Sequence, residues 1–227
     1  MKPDIADWDE MLPKLPGDRP AGILLRHAER PEFRVGEDGF HVRLKPAGKA
    51  AARYLGERIG KRFGHRIADL VSSPVPRCVE TAEEIGRGAG HAGSVTESGI
   101  LGHPGVFVRD AEQAMETLVA MGLEGFVEAL GRGQRLDGMN PPRPAAAKLL
   151  RFMLERIEAH PGGLILFASH DIVVGPLVSL LGRGRCLPPR GRIFDFLEGV
   201  AFWRDKGAVR AVTRYGEGTL AADGEGP

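Results

Sequence analysis

The sequence predicts one α/β domain, a mostly parallel sheet flanked by helices and carrying a small helical insertion. Three observations carry that prediction. Short apolar runs alternate with segments of helical period along most of the chain. Three of those runs stop at polar residues, Arg26-His27, Ser72-Ser73 and Ser169-His170-Asp171, as strands do when their carboxyl ends face a ligand. The 227 residues, 42% hydrophobic and 27% charged, suit a single well-buried core.

The elements follow in order. Residues 1–20 are polar, contain four prolines and read as an arm laid over the surface. The run 22–25 is too brief for a helix and reads as a buried strand; a charged loop over 28–44 follows. A helix is predicted over 46–63, where Ala51, Leu55 and Ile59 recur on one face. A second strand, 68–71, leads to a helix over 75–88 with Cys78, Ala82 and Ile85 inward. Residues 92–142 hold one or two helices and read as a cap insertion. A helix over 144–160 carries Leu149, Met153 and Ile157 on one stripe. Gly162 and Gly163 turn the chain into the strand 164–168, and a helix runs from 172 to 182. A hairpin joins 199–204 to 208–214 around Gly207. The tail 216–227 is rich in glycine and acid and is expected to be disordered.

Composition narrows the function. The formal net charge is +1, so no global field draws the chain to nucleic acid or to membranes, and neither is expected as a partner. Two cysteines, Cys78 and Cys186, make no disulfide framework and suit a reducing compartment. The first residues lack the apolar run of a signal peptide, and no stretch nears the roughly 18 apolar residues of a membrane helix. A cytoplasmic protein is expected.

If the three strand ends converge, one pocket holds His27, His170, Arg26, Arg30 and Arg77. Such a concentration of positive charge calls for an anion, and guanidinium forks match phosphate oxygens. A phosphate ester needs a nucleophile, charge neutralisation and a proton for its leaving oxygen. A neutral imidazole can attack phosphorus and form a covalent intermediate. His27 is the candidate nucleophile, with its other ring nitrogen held by a backbone carbonyl. His170 would hold the transferring oxygens, and Asp171 could protonate the leaving group.

The same residues carry a resemblance. LLRHAERP resembles the Arg-His-Gly signature of the histidine phosphatase superfamily, which includes phosphoglycerate mutases, acid phosphatases and phytases. SSPVPRCVETA is similar to that family's Ser-Ser-Pro-x-x-Arg-Cys-x-x-Thr-Ala segment, SHD resembles its second catalytic histidine, and RLKPAGKAAARYLG its first helix. The resemblance implies a phosphoglycerate mutase-like sheet, a phosphohistidine on His27, a phosphate pocket of Arg26, Arg77 and His170, and no metal or other cofactor. Arg30 and Asp171 resemble the second arginine and the proton donor of the acid phosphatase and phytase branch. The mutase branch has glycine after its second histidine and takes its acid from a mid-chain glutamate, for which Glu97 is the candidate; Asp171 is preferred. Ala28 stands where the family usually has glycine, and the chain has the length of the mutase branch. The expected ligand is a small phosphorylated metabolite. A phosphate-binding module without catalysis and a mutase-type phosphotransferase are the alternatives.

Plainer roles compete at several positions. Arg30 could pair with Glu29 or Glu32, and His170-Asp171 could cap a helix. His103 reads as a loop residue, Ser72 and Ser73 as turn formers, and Cys78 as a small core residue. Cys186 to Arg192 has the spacing of a thiol-based phosphatase loop, but Pro188 and Pro189 lack the N–H groups such a loop aims at phosphate. Specificity is expected in 28–44 and 92–142, where Phe33, Phe40, Phe107 and Phe126 favour no one molecule.

Overall fold

The structure is a computed structural model that describes residues 5, 8–32, 39–184, 186 and 194–221. Its N-terminal segment holds a short helix, α1 (Trp8–Met11), and a 3-10 turn. This corrects the reading of an arm on the surface: Trp8, Met11, Leu12 and Leu15 are buried. They recur with a helical period inside a proline-rich stretch, so the segment has an apolar face of its own.

The first strand, β1 (Ala21–Arg26), is buried throughout. It leads across the loop to α2 (Pro46–Phe63), which opens on a proline suited to the first helical turn and ends at Gly64, φ 53°. Next come β2 (Ile67–Ser72) and α3 (Pro76–Ala89), which ends at left-handed Gly90. The apolar stripes of α2 and α3 face each other. Their backbones come so close that a Cβ at Gly56 would overlap the Ile85 carbonyl oxygen.

The region read as a cap contains a strand that hydropathy did not reveal, β3 (Val95–Glu97), then a 3-10 turn (Gly99–Leu101) and α4 (Ala111–Gly131). Asp110 caps α4 by accepting from the Glu112 and Gln113 N–H groups, and Gly122 (φ 69°) breaks the helix in two. Its second half packs inward through Phe126, Val127 and Leu130. Then follow α5 (Pro142–Glu158), β4 (Leu164–Ser169) and α6 (Asp171–Leu181). The C-terminal part adds β5 (Gly182–Gly184), β6 (Gly199–Asp205), β7 (Ala208–Thr213) and β8 (Gly216–Leu220).

The strands form one sheet in the order β3-β2-β4-β1-β6-β7-β8-β5. The β3-β2-β4-β1 half is parallel, as the strand-helix alternation implied. From β6 onward every pairing is antiparallel, so the sheet is mixed. The expected disordered tail is corrected over its first part. Residues 216–220 pair with β7 on one side and β5 on the other, and Leu220 is buried. Two sheet partners satisfy the backbone that composition alone left unaccounted for. Residues 222–227 lie outside the described ones.

The sheet separates two apolar layers. One gathers α4, α5 and α6 around residues such as Leu149, Met153 and Phe202; the other gathers α1, α2 and α3 around Trp8, Leu55, Ile59 and Ile85. Among the described residues no helix is long and apolar enough to cross a membrane.

Candidate active site

Sheet register builds the site. Arg26 lies opposite Ser169, and Ser72 opposite Ala168. The residues just beyond, His27, His170 and Ser73, therefore share one edge, at the carboxyl ends of parallel strands. Cross-strand bonds fix them there: His27 N–H donates to Ser169 O at 2.9 Å and Ser73 N–H to Ala168 O at 3.0 Å.

The two imidazoles face each other, with ring centroids 5.6 Å apart and planes at 73°. Both are buried. His27 Nδ1 lies 2.8 Å from Ala28 O, and Arg77 Nε donates to Nε2 at 3.1 Å. A guanidinium can only donate, so Nε2 carries the lone pair and Nδ1 the proton. Ala28 is buried, and its N–H donates to Thr81 Oγ1 at 3.0 Å. Positive φ among non-glycine residues occurs at His103, Leu197 and Lys206. Ala28 thus replaces the family's glycine without strain.

Arg77 opens α3 and spans the pocket. Beyond His27, its Nη1 donates to Gly39 O at 2.7 Å and its Nη2 lies 3.4 Å from His170 Nδ1. His170 Nε2 is 3.0 Å from Ser73 Oγ. Arg26 is buried at the end of β1. Its Nη1 donates to Phe194 O at 2.7 Å, its Nη2 pairs with Asp171 Oδ2 at 2.9 Å, and its Cζ stands 4.5 Å from the Phe196 ring centroid. Asp171 is the first residue of α6, where a carboxylate suits the helix dipole. Its Oδ1 accepts from Ile172 N–H at 2.8 Å. The capping residue of α6 itself is His170.

The sequence-predicted cluster therefore comes together: His27, His170, Arg26, Arg77 and Asp171 share one pocket. Arg30 is half-buried at its rim, donating from Nη1 to Pro31 O at 2.8 Å. Glu97 lies exposed at the end of β3, opposite Ser72. Phe33 and residues 187–192 fall outside the described residues.

Positive charge gathers here. Burial, then the charges of His170, Arg77 and Arg26, hold the His27 imidazole well below the usual 6.5; the bond to Ala28 O opposes them. His170 is held down by burial and then by Arg77, Arg26 and Arg30. Burial first, then the neighbouring arginines, also lowers Arg30. Arginines gathered around neutral imidazoles suit an anion. Cys78 lies beneath His170, its thiol donating to Ser169 O at 3.4 Å, and burial pushes it up to about 12. It is a neutral thiol. Among the described residues no three His, Cys, Asp or Glu side chains are grouped to hold a metal.

Sequence reasoning missed several contributors. Ser73 was read as a turn former, yet its hydroxyl meets His170. Gly102 packs on that pair: a Cβ there would lie 2.6 Å from His170 Cδ2 and 2.7 Å from Ser73 Oγ. Phe194 and Phe196 brace Arg26. The glycines of the GILG turn are the signal that could have found Gly102, by the close backbone approach they allow; nothing in the local sequence marked the two phenylalanines.

A buried strand-end histidine, a second one facing it and arginines between them make an arrangement able to hold a phosphoryl group. The pattern of the histidine phosphatase superfamily, branch 1, matches residues 23–186, and the chain belongs to that superfamily. No curated protein sequence matches it. Among solved structures it is similar to the mycobacterial glucosyl-3-phosphoglycerate phosphatase (17% identity, TM-score 0.56, covering 86% of this chain and 96% of that one). The complex of that phosphatase with inorganic phosphate is also similar (17%, TM-score 0.53, 81% and 89%), as is mycobacterial hydrolase 2 (16%, TM-score 0.58, 91% and 94%). At these identities the likeness is one of fold.

Proposed function

We propose that the protein is a phosphatase that hydrolyses a small phosphate monoester through a phosphohistidine on His27. One observation supports this above the others. His27 Nε2 keeps its lone pair, accepting from Arg77 Nε at 3.1 Å, while Nδ1–H is held by Ala28 O. That is the orientation and protonation state a nucleophilic imidazole needs.

In the first step Arg77 Nε passes from Nε2 to a phosphoryl oxygen, Nε2 attacks phosphorus, the bond from phosphorus to the leaving oxygen breaks, and Asp171 gives that oxygen a proton. Arg26, Arg30, Arg77 and His170 bind the phosphoryl oxygens, so negative charge stays neutralised as the bond cleaves. For Asp171 to act, Arg26 Nη2 must pass from Oδ2 to the phosphate. In the second step water attacks phosphorus, the P–N bond breaks, inorganic phosphate leaves, and Asp171 takes the proton from the water. Glu97 is the alternative acid. An Asp171→Asn variant that keeps full turnover of an alkyl phosphate, beside a Glu97→Gln variant that loses it, would transfer the role to Glu97.

The test is to trap the intermediate. Rapid quenching with a labelled substrate should give a phosphoenzyme that is stable in base and labile in acid, absent from His27→Ala. Turnover by that variant at the wild-type rate would end the proposal. Transfer of the label to an added phosphoglycerate rather than to water would show a mutase instead.

A further inference from the structure

The guanidinium of Arg26 takes its direction from the turn 194–198, which leads into β6. Phe194 O accepts from Arg26 Nη1 at 2.7 Å, and the Phe196 ring centroid lies 4.5 Å from Arg26 Cζ. The backbones are laced as well. Arg26 N–H donates to Glu198 O at 2.9 Å, and Leu197 N–H donates to Arg26 O at 3.2 Å. Leu197 has φ 59°, a left-handed conformation that a bulky residue keeps only where its surroundings impose it.

Two groups impose it. Trp8 Nε1–H donates to Leu197 O at 2.7 Å. The second is the buried carboxylate of Glu198. Its Oε2 accepts from Asp195 N–H at 2.8 Å while Glu198 N–H donates to Asp195 O at 3.0 Å, so the turn is closed on itself. Its Oε1 accepts from Arg214 Nη1, on the turn that joins β7 to β8. A buried carboxylate bonded through both oxygens is held firmly, because losing either partner leaves a charge or a donor unsatisfied.

Resting on the reading in which Arg26 binds the phosphoryl group, we propose that Glu198 is a positioning residue: with Arg214 it fixes the turn 194–198 and so aims Arg26 at the phosphoryl oxygens. In the resting pocket Phe194 O, the Phe196 ring and Asp171 together direct the guanidinium. When Nη2 leaves Asp171 for phosphate, the two contacts from the turn carry the aim. The carboxylate that closes that turn then governs affinity for the anion without touching it.

The test is a double-mutant cycle on the binding of orthovanadate, measured by calorimetry. Glu198→Ala should weaken binding about tenfold in the otherwise wild-type chain, the scale of one charge-assisted hydrogen bond. In an Arg26→Lys background the same change should cost less than about twofold: lysine keeps the charge but has no planar fork to aim. Glu198→Gln retains an oxygen for Asp195 N–H and should recover part of the affinity. Arg214→Gln, at an exposed position, should act in the same direction as Glu198→Ala and carries the cycle if that variant does not fold. A residue serving stability alone would lower the urea midpoint and leave the dissociation constant of the folded chain where it was. Unchanged vanadate binding in the folded variants, or equal losses in both backgrounds, overturns this proposal alone. A wild type that does not bind vanadate overturns the phosphate-site reading and this proposal with it.

Discussion

At the scale of single residues the proposed chemistry turns on the charge of His27, which its neighbours set. Only a neutral imidazole has a lone pair to attack with. Burial, His170, Arg77 and Arg26 all keep His27 below 6.5, so the acid limb of kcat/KM should fall at a pH under that value. Arg77→Ala removes one of the charges depressing both histidines and should move the limb upward, toward 6.5, besides weakening phosphate binding. A pH–rate profile of that variant with its limb in the wild-type position would show that Arg77 does not act on the imidazoles. The same depression links pH to stability. Above 6.5 both histidines are neutral folded or unfolded. As pH falls below 6.5 the unfolded chain takes up protons that the folded one refuses, so stability declines until the lowered folded values are reached. The slope in that window is up to about 1.4 kcal/mol per histidine per pH unit. Urea midpoints at pH 7.5 and 5.5, without phosphate, measure it, and His170→Asn should flatten the difference.

At the scale of elements, positions fixed by backbone contact decide whether the residues above are presented correctly. Gly102 follows the 3-10 turn and packs against the His170 ring. With φ 151° it has a conformation that L-residues rarely adopt. Gly102→Ala should displace His170 by about the width of a methyl group, and misplacement on that scale can cost roughly 10²-fold in kcat/KM. Wild-type kinetics in a folded Gly102→Ala chain would remove His170 from the phosphate site. Much of this level was legible in the sequence. The periods of α2, α3 and α5 and the apolar runs of β1, β2 and β4 placed those elements nearly to the residue, because each helix buries one regular face and β1 and β4 are buried on both. Strand ends and motif order then located His27, Arg77 and His170. What stayed hidden had long-range causes. The strand β3 exists because it pairs with β2, and β8 because β7 and β5 flank it; neither has an apolar run of its own. Phe196 belongs to the site because Leu197 N–H donates to Arg26 O and Arg26 N–H to Glu198 O, bonds that join distant parts of the chain.

At the scale of the whole molecule, two layers meet behind the pocket and its charge is out of step with the rest of the surface. Trp8 shows the first point. It is fully buried, and its Nε1–H donates to Leu197 O at 2.7 Å, so the N-terminal segment braces the strand end that carries Arg26 and His27. Trp8→Ala should cost about 3–5 kcal/mol by urea unfolding; a loss under 1 kcal/mol would mean that the segment is not docked. The second point is electrostatic. Net charge is only +1, yet Arg26, Arg30 and Arg77 stand together, with Asp171 paired to Arg26. Folding therefore holds cations together that would separate in the unfolded chain, and an anion in the pocket should favour the folded state. At a concentration 100 times the dissociation constant a ligand adds about 2.7 kcal/mol, or roughly 5–10 °C in Tm for a chain of this size. Inorganic phosphate and vanadate should give that shift, and chloride at equal ionic strength should not. Arg77→Ala should abolish most of it. Arg58→Gln, which removes an exposed partner of Asp9, should leave it intact, since Arg58 lies outside the pocket. Equal shifts with phosphate and chloride, or a full phosphate shift in Arg77→Ala, would mean that the clustered arginines do not form an anion site.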